Sequence, residues 1–270
     1  MFFKELYRYR YLLREIVAKN IKIQYRNSVL GIFWTLLQPL LTTLVLVFIF
    51  GRLFGTGDAD IINFPIYVLC GRLLFEFYSQ STKRAMRSVT GSASVIKKVK
   101  VPKYIYPLAN VISNFITFLI SMIVLVGFIL FFTLANHVKY PAPHITRYVL
   151  LAPVPLLVLF LLCTGVGLIL STLAVFFKDI EYLYDVFTLL LFYVTPIFWT
   201  VGRLGGDKLM MTLLKLNPLY HIVEMFRDCV LRGRMFSHWS LLASLGFSLA
   251  LVLIGGVAFW RKQDKFILYI

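Results

Sequence analysis

The chain is short of acid. It carries 12 Asp and Glu against 28 Lys and Arg in 270 residues, a formal net charge of +16. That balance admits nucleic acid as a partner, but the cations stand beside long hydrophobic runs rather than along one soluble face. Anionic lipid headgroups and membrane topology account for them better, so no nucleic-acid partner is expected. Cysteine is scarce and odd in number. Cys70, Cys163 and Cys229 are far apart, and two of them lie in apolar runs, which leaves no disulfide framework and no metal site. Charge of either sign is thin, at 15% of residues against 60% hydrophobic, with 25 Phe. A soluble domain of that make-up would be covered in apolar patches, so an all-α integral membrane protein is expected.

Catalytic signatures are missing as well. There is no G-x-x-x-x-G-K-[ST] phosphate loop. The nearest stretch, residues 202–209 (GRLGGDKL), has Asp207 where the second Gly belongs and Leu209 where Ser or Thr belongs. No H-E-x-x-H or G-x-S-x-G occurs. His137 and His144 share one loop without further ligands. Asp179, Glu181 and Asp185 cluster at a helix start, where the helix dipole favours acid. Inverted repeats of broken helices are not evident. The chain reads as a membrane path without its own energy source or enzyme site. A separate ATPase docking on cytoplasmic loops is one solution.

The first unit is residues 1–26, an amphipathic helix with Phe2, Leu6, Tyr9, Leu13 and Ile16 on one side. Lys4, Arg8, Glu15, Lys19, Lys22 and Arg26 mark the other. It is expected to lie in the membrane surface, with packing on a partner as the alternative. It does not read as a cleavable signal peptide, since no small-residue site ends the apolar run behind it. The transmembrane unit follows over residues 27–260, with six spans at about 29–51, 62–81, 105–135, 148–176, 183–201 and 237–260.

Asn27 or Ser28 can cap the first span, and Pro39 within it frees a carbonyl that a neighbouring helix must satisfy. Asp58 and Asp60 lie in the next loop. Arg72 and Glu76 in the second span are spaced i,i+4 and can pair. They either line a polar path or fix one helix against another. The loop 82–103 holds Lys83, Arg84, Arg87, Lys97, Lys98, Lys100 and Lys103 and no anion. Within it Ser92 or Ser94 caps a short helix bearing Val95, Ile96 and Lys97, which Pro102 ends. The third span is longer than a bilayer and ends near Asn136. Gly165, Gly167 and Ser171 offer a small surface for close helix contact in the fourth. The fifth, with Pro196, is at the short limit for crossing.

Residues 209–216 and 220–231, parted by Asn217 and Pro218, are each too short to span. A re-entrant hairpin over 203–236, dipping into the outer leaflet, fits them. A tail follows over 261–270. With both termini cytoplasmic, 18 Lys and Arg fall inside and nine outside. Six of those nine lie in 203–234, which stands against this topology.

Several stretches together resemble one family. They are YRNSVLGIFWTLLQP (Tyr25, Arg26, Ser28, Leu30, Gly31, Trp34, Pro39), residues 91–102, FFKDIEY (Phe177, Asp179, Ile180), and YVTPIFW (Tyr193, Thr195, Pro196, Ile197, Trp199). Leu216-Asn217-Pro218 and Arg227-Asp228 complete the set. The chain resembles the permease subunits of ABC-2 type exporters that move lipid-linked polysaccharides: O-antigens, capsular polymers and wall teichoic acids. Arg72 and Glu76 are outside that pattern.

The resemblance implies a homodimer of six-span permeases in the bacterial cytoplasmic membrane. It implies two ATPase subunits, which hold the ATP and magnesium, so this chain needs no cofactor. It also implies an interfacial N-terminal helix, a coupling helix between spans two and three, and a re-entrant hairpin before the last span. The polymer would ride on a polyprenyl diphosphate, and overall similarity leans to wall teichoic acid. The alternatives are an ABC-2 permease for drugs or small lipids, and a polyprenyl-lipid transferase using Glu76.

On this reading Ser92, Ser94, Val95, Ile96, Lys97 and Lys98 couple to the ATPase, with Val95 and Ile96 inserted in a groove on it. Lys22, Tyr25 and Arg26 meet the diphosphate headgroup or anchor the helix to anionic lipid. Candidates for the path are Phe33, Trp34, Arg72, Phe75, Glu76, Tyr78, Phe192, Tyr193, Phe198 and Trp199. The aromatic residues offer flat faces to sugars or form lipid-facing belts.

Overall fold

The computed structural model describes residues 7–26, 28–53, 63–99, 101–135, 140–204 and 208–269, and no strand occurs among them. The expectations placed on Phe2, Lys4, Leu6, Asn27, Asp58, Asp60, Lys100, Asn136, His137 and Asp207 lie outside the described residues.

Helix α1 (Arg10–Tyr25) buries Val17 and packs along α5 (Ile105–Ala135). Its inward stripe runs through Leu13, Val17, Asn20 and Ile21, so part of the expected apolar side meets protein. Ser28 then turns the chain, its Oγ accepting from the Gly31 amide at 3.1 Å. Gly31 has φ +50°, a backbone region that a Cβ makes costly. A 3-10 turn over Gly31–Phe33 leads into α2 (Trp34–Leu53). Pro39 sits inside α2 and has no N–H to give the carbonyl of Thr35, four residues back. Ser121 of α5 donates its hydroxyl to that carbonyl at 3.0 Å. The neighbouring helix thus meets the carbonyl that the proline frees.

Helix α3 (Phe64–Gly91) is the centre of the bundle. From Phe64 to Tyr78 only Arg72 and Glu76 keep partial exposure. A helix apolar nearly all round belongs inside other helices, and α2, α5, α6 (Pro153–Phe176) and α9 (Pro218–Val230) surround it. Asn63 caps α3, its Oδ1 accepting from Ile66 N at 3.1 Å, with Pro65 in the first turn. The helix does not stop at residue 81. It carries Lys83, Arg84 and Arg87 to Gly91, so the first half of the expected basic loop is helical. The cations read as a loop signal because they outnumber the apolar residues among them. The apolar face that keeps the helix going is Ala85, Met86 and Val89, all fully buried.

The chain runs up and down between two ends. At one end Val89, Ile96, Tyr106, Phe259 and Phe266 form a cluster that joins α3, α4 (Ala93–Ile96), α5, α10 (His238–Lys262) and α11 (Phe266–Tyr269). At the other, Asn63 donates to Pro141 O, His144 N to Leu231 O and Thr146 Oγ1 to Gly233 O, at 3.1, 3.1 and 2.9 Å. Among the described residues four stretches are long and apolar enough to cross a membrane: Gly31–Phe50, Ile105–Ala135, Arg147–Phe176 and His238–Tyr269. Helix α3 is not among them, because Arg72, Glu76 and its polar residues lower its mean hydropathy. Helix α7 (Ile180–Val194) has 15 residues, about 22 Å at 1.5 Å per residue, against a hydrocarbon core of about 30 Å. The expected span to residue 201 is therefore corrected. Thr195 is extended (ψ 128°) because it precedes Pro196, and the helix ends at Val194. Helices α8 (Lys208–Leu216) and α9 divide at Asn217, as the sequence indicates.

The small residues of α6 are used on two sides. A Cβ on Gly165 would lie 2.7 Å from the Leu251 backbone of α10, and one on Gly167 would lie 2.8 Å from Ala85 Cβ of α3. Gly165→Leu is expected to pry α6 from α10 and cost about 1–3 kcal/mol or more, read as a lower melting temperature of the purified protein. Gly127 has open space around it, so Gly127→Leu is the matched control.

Candidate functional site

Where α1 ends, α2, α3 and α5 leave a cavity of about 90 Å³. Gln24 and Tyr25 close it from α1, and Trp34, Gln38 and Pro39 from α2. Glu76, Phe77 and Gln80 line it from α3, and Asn114, Thr117, Phe118 and Ser121 from α5. Glu76 is its one ionisable carboxylate. Gln38 and Gln80 donate to Glu76 Oε1 at 3.2 and 3.0 Å. Arg72 Nε stands 3.8 Å from Oε2, too long for a hydrogen bond, and both atoms are buried without one. The pair expected from i,i+4 spacing is therefore present but loose.

Tyr25 is the member of the expected headgroup set that reaches this cavity; Lys22 and Arg26 are exposed. Gln24 donates to Tyr25 Oη at 2.8 Å and accepts from Arg84 at 2.7 Å. Burial pushes the Tyr25 hydroxyl above its ordinary value, and nearby Arg84 opposes the shift.

The expected path aromatics do not form one surface. Phe75, Phe192 and Phe198 gather between α3 and the end of α7, with Phe75 and Phe192 5.0 Å apart and Phe192 and Phe198 5.8 Å apart. Phe50 of α2 stacks on Phe198 at 4.5 Å. Tyr193 touches Phe198 edge-on, and Trp199 donates to the Tyr193 carbonyl at 3.2 Å. Phe75, Tyr78 and Phe198 are buried, so within this chain they are core rather than an open lining. Phe33 is exposed and stands outside that cluster, and Trp34 belongs to the Glu76 cavity instead.

At the basic end, Lys83 pairs with Asp185 at 2.7 Å and Arg87 with Glu181 at 2.9 Å. The acidic residues that open α7 therefore bind the cations of α3, beyond any dipole role. Lys103 donates to the Gln263 carbonyl. Ser92 stands at the N-cap of α4 but makes no side-chain capping bond, and Ser94 is exposed. Val95 is 43% exposed and Ile96 6%. An outward pair of these two is corrected: Ile96 faces Val89, Tyr106 and Phe266, and the outer face is Ser94, Val95, Lys97, Lys98 and Val99.

The far end holds what the sequence reading missed. Arg227 of α9 is fully buried. Its Nη1 donates to Pro196 O at 2.7 Å and Glu224 Oε1 at 2.9 Å. Its Nη2 donates to Tyr67 O at 3.0 Å and Ile197 O at 3.1 Å, and its Cζ lies 3.4 Å from the Tyr67 ring centroid. Arg232 bonds Glu224 and Asp228 at 2.6 and 2.9 Å, and Arg234 bonds Asp228 at 2.8 Å. Three cations that counted against the topology thus share two carboxylates, which offset two of their three charges. Glu224, Arg227, Asp228 and Arg232 share helical spacing, the signal that was available. Among the described residues no three His, Cys, Asp or Glu converge on a metal site.

A bundle of apolar helices that keeps its charges at the two ends and around one inner cavity is an integral membrane protein built as a path. The chain belongs to the ABC-2 type transporter family, whose model matches residues 11–231. It is 25% identical over 263 residues to the O-antigen export system permease protein RfbA of Myxococcus xanthus, covering 97% of this chain and 96% of that one. It is 26% identical to the protein of the same name from Klebsiella pneumoniae, over 93% and 91% of the two chains. The polysialic acid transport protein KpsM of Escherichia coli is 24% identical, over 93% and 92%.

Proposed function

We propose that the chain is the permease subunit of an ATP-driven exporter of a lipid-linked cell-surface polysaccharide. The observation that carries this reading is the end-to-end likeness to the O-antigen permeases. Those relatives move the choice of polymer from wall teichoic acid to O-antigen or capsular polysaccharide. ATP is hydrolysed by a separate subunit that docks at the basic end, and two copies of this chain enclose the path.

The six-span reading takes α2, α3, α5, α6 and α10 as crossings, with α7 completed by the largely buried non-helical residues 195–200 after it. Alternation of helix ends between the two clusters supports it, as does the offset of two of the three arginine charges at the far end by Glu224 and Asp228. The α8–α9 hairpin is the re-entrant element, and its asparagine hinge is protein-covered, with Asn217 Nδ2 bonded to Thr195 at 3.1 Å. Both termini then fall on the cytoplasmic side. Exposed apolar residues such as Leu44, Phe48, Leu183, Phe187, Leu253 and Ile254 suit lipid or the second copy.

The test is ATP hydrolysis by the reconstituted complex of this chain with its ATPase. Polyprenyl-diphosphate-linked polysaccharide is expected to raise the rate, and hydrophobic drugs are expected not to. Stimulation by drugs and not by polymer makes the chain a drug permease instead.

A further inference from the structure

We propose that the C-terminal segment seats α4. Phe266 and the Gln263 carbonyl fix the direction of its outer face, and so set the surface offered to the ATPase. That last step rests on the export reading above; the seating does not.

Helix α4 has little to hold its own direction. It has four residues, its N-cap makes no side-chain bond, and Ile96 is its one buried side chain. A single turn of helix is unfavourable by itself, because ordering it costs more than its few bonds return. Its direction is therefore set by what Ile96 rests on. Ile96 shares a cluster with Val89 of α3, Tyr106 of α5, Phe259 of α10 and Phe266 of α11. Phe266 is fully buried there, its ring edge-on to Phe259 at 5.1 Å and to Phe176 of α6 at 5.8 Å.

The chain leaving α4 is tied to the same turn. Lys103 donates to the Gln263 carbonyl, which also accepts from the Phe266 amide. The Lys103 ammonium lies 5.9 Å from the centre of the Phe266 ring, within reach of a cation–π attraction. The exposed Lys97, Lys98 and Val99 stand between these two ties. The Lys103 tie spans 160 residues of sequence, so the last turn of the chain governs a surface between α3 and α5. Its neighbour Leu268 is 81% exposed and has no part in the cluster. Phe266 is thus a positioning residue, acting through Ile96 and Lys103.

The test places a nitroxide on Val95→Cys in the full chain in lipid nanodiscs, without ATPase. Cys70, Cys163 and Cys229 are buried, so the label goes to residue 95. Phe266→Ala and Lys103→Met are each expected to add a fast-motion component to the spectrum. Phe266→Leu, which refills most of the cluster, is expected to restore the slow spectrum, and Leu268→Ala to change nothing. In the unlabelled chain, with Val95 in place, Phe266→Ala is expected to weaken ATPase binding about tenfold, the scale of ordering one backbone residue at docking. Lys103→Met removes no buried ring, so it decides the matter should Phe266→Ala not fold. A label that stays slow in the folded variants overturns the seat. ATPase binding weakened as much by Leu268→Ala as by Phe266→Ala makes the tail itself the contact, and overturns the positioning role. If the label loosens as expected and the chain binds no ATPase at all, the export reading falls and the seat stands.

Discussion

Arg227→Met is expected to cost the folded chain about 3–5 kcal/mol, the scale for removing one partner from a buried charged network. Four of its five N–H donors are in use, and three go to backbone carbonyls, of Tyr67, Pro196 and Ile197. Pro196 and Ile197 lie in the non-helical segment after α7, where no helix supplies donors of its own. Losing the guanidinium takes its donor from Ile197 O, leaves Pro196 O with the Tyr67 hydroxyl at 3.3 Å, and unpins α9 from α3 at once. Arg227→Lys is expected to rescue little, because one ammonium does not reproduce a planar fork over the Tyr67 ring. Gly71→Ala is a second route to the same damage, since its Cβ would lie 2.6 Å from Arg227 Nη2. The control is Arg234→Ala. That side chain is 65% exposed, so its ion pair with Asp228 is worth less than about 1 kcal/mol. Thermal melting and yield from membranes are the readouts. If Arg227→Met melts with the wild type, the network is not what secures α9.

The second large effect separates two neighbours. Val95→Asp is expected to leave melting unchanged and abolish retention of the ATPase on immobilised permease. Ile96→Asp is expected to lose about 2–5 kcal/mol through lost packing alone, with a buried charge adding to it. The difference comes from the rotation of about 100° between successive helical residues, which sets these two side chains on different faces. Helix α4 turns Ile96 onto Phe266 and leaves Val95 outside. ATPase retained by the Val95→Asp chain would remove α4 from the coupling surface.

Much of the frame was legible because the hydrophobic effect writes long patterns. An apolar helix runs over Ile105–Ala135, a helix break falls at Asn217, and Gly165 and Gly167 mark close contacts. Pro39 announced a freed carbonyl because its missing N–H is a covalent fact. What stayed hidden is set by tertiary pairing. Arg227, Arg232 and Arg234 count as outward charges until Glu224 and Asp228 are seen against them. Gln38 and Asn114 are uncharged, so a count of charges passes over them, yet both line the cavity beside Glu76. Asn114, Thr117 and Ser121 do recur at helical spacing on α5, a signal that pattern reading would have caught had it looked for amides as well as charges.

Helix α3 has a mechanical consequence. It is one helix of 28 residues, with proline confined to its first turn, about 42 Å from the arginine network to the turn before α4. Work done on its inner end therefore arrives at its outer end as a displacement of the whole rod, with no internal joint to delay it. Opening one face before the other must use joints elsewhere. The non-helical residues 195–200 between α7 and α8 are such a joint, and the rod holds it through the Tyr67 hydroxyl, which donates to the Trp199 carbonyl at 2.9 Å, and through the Arg227 guanidinium of α9.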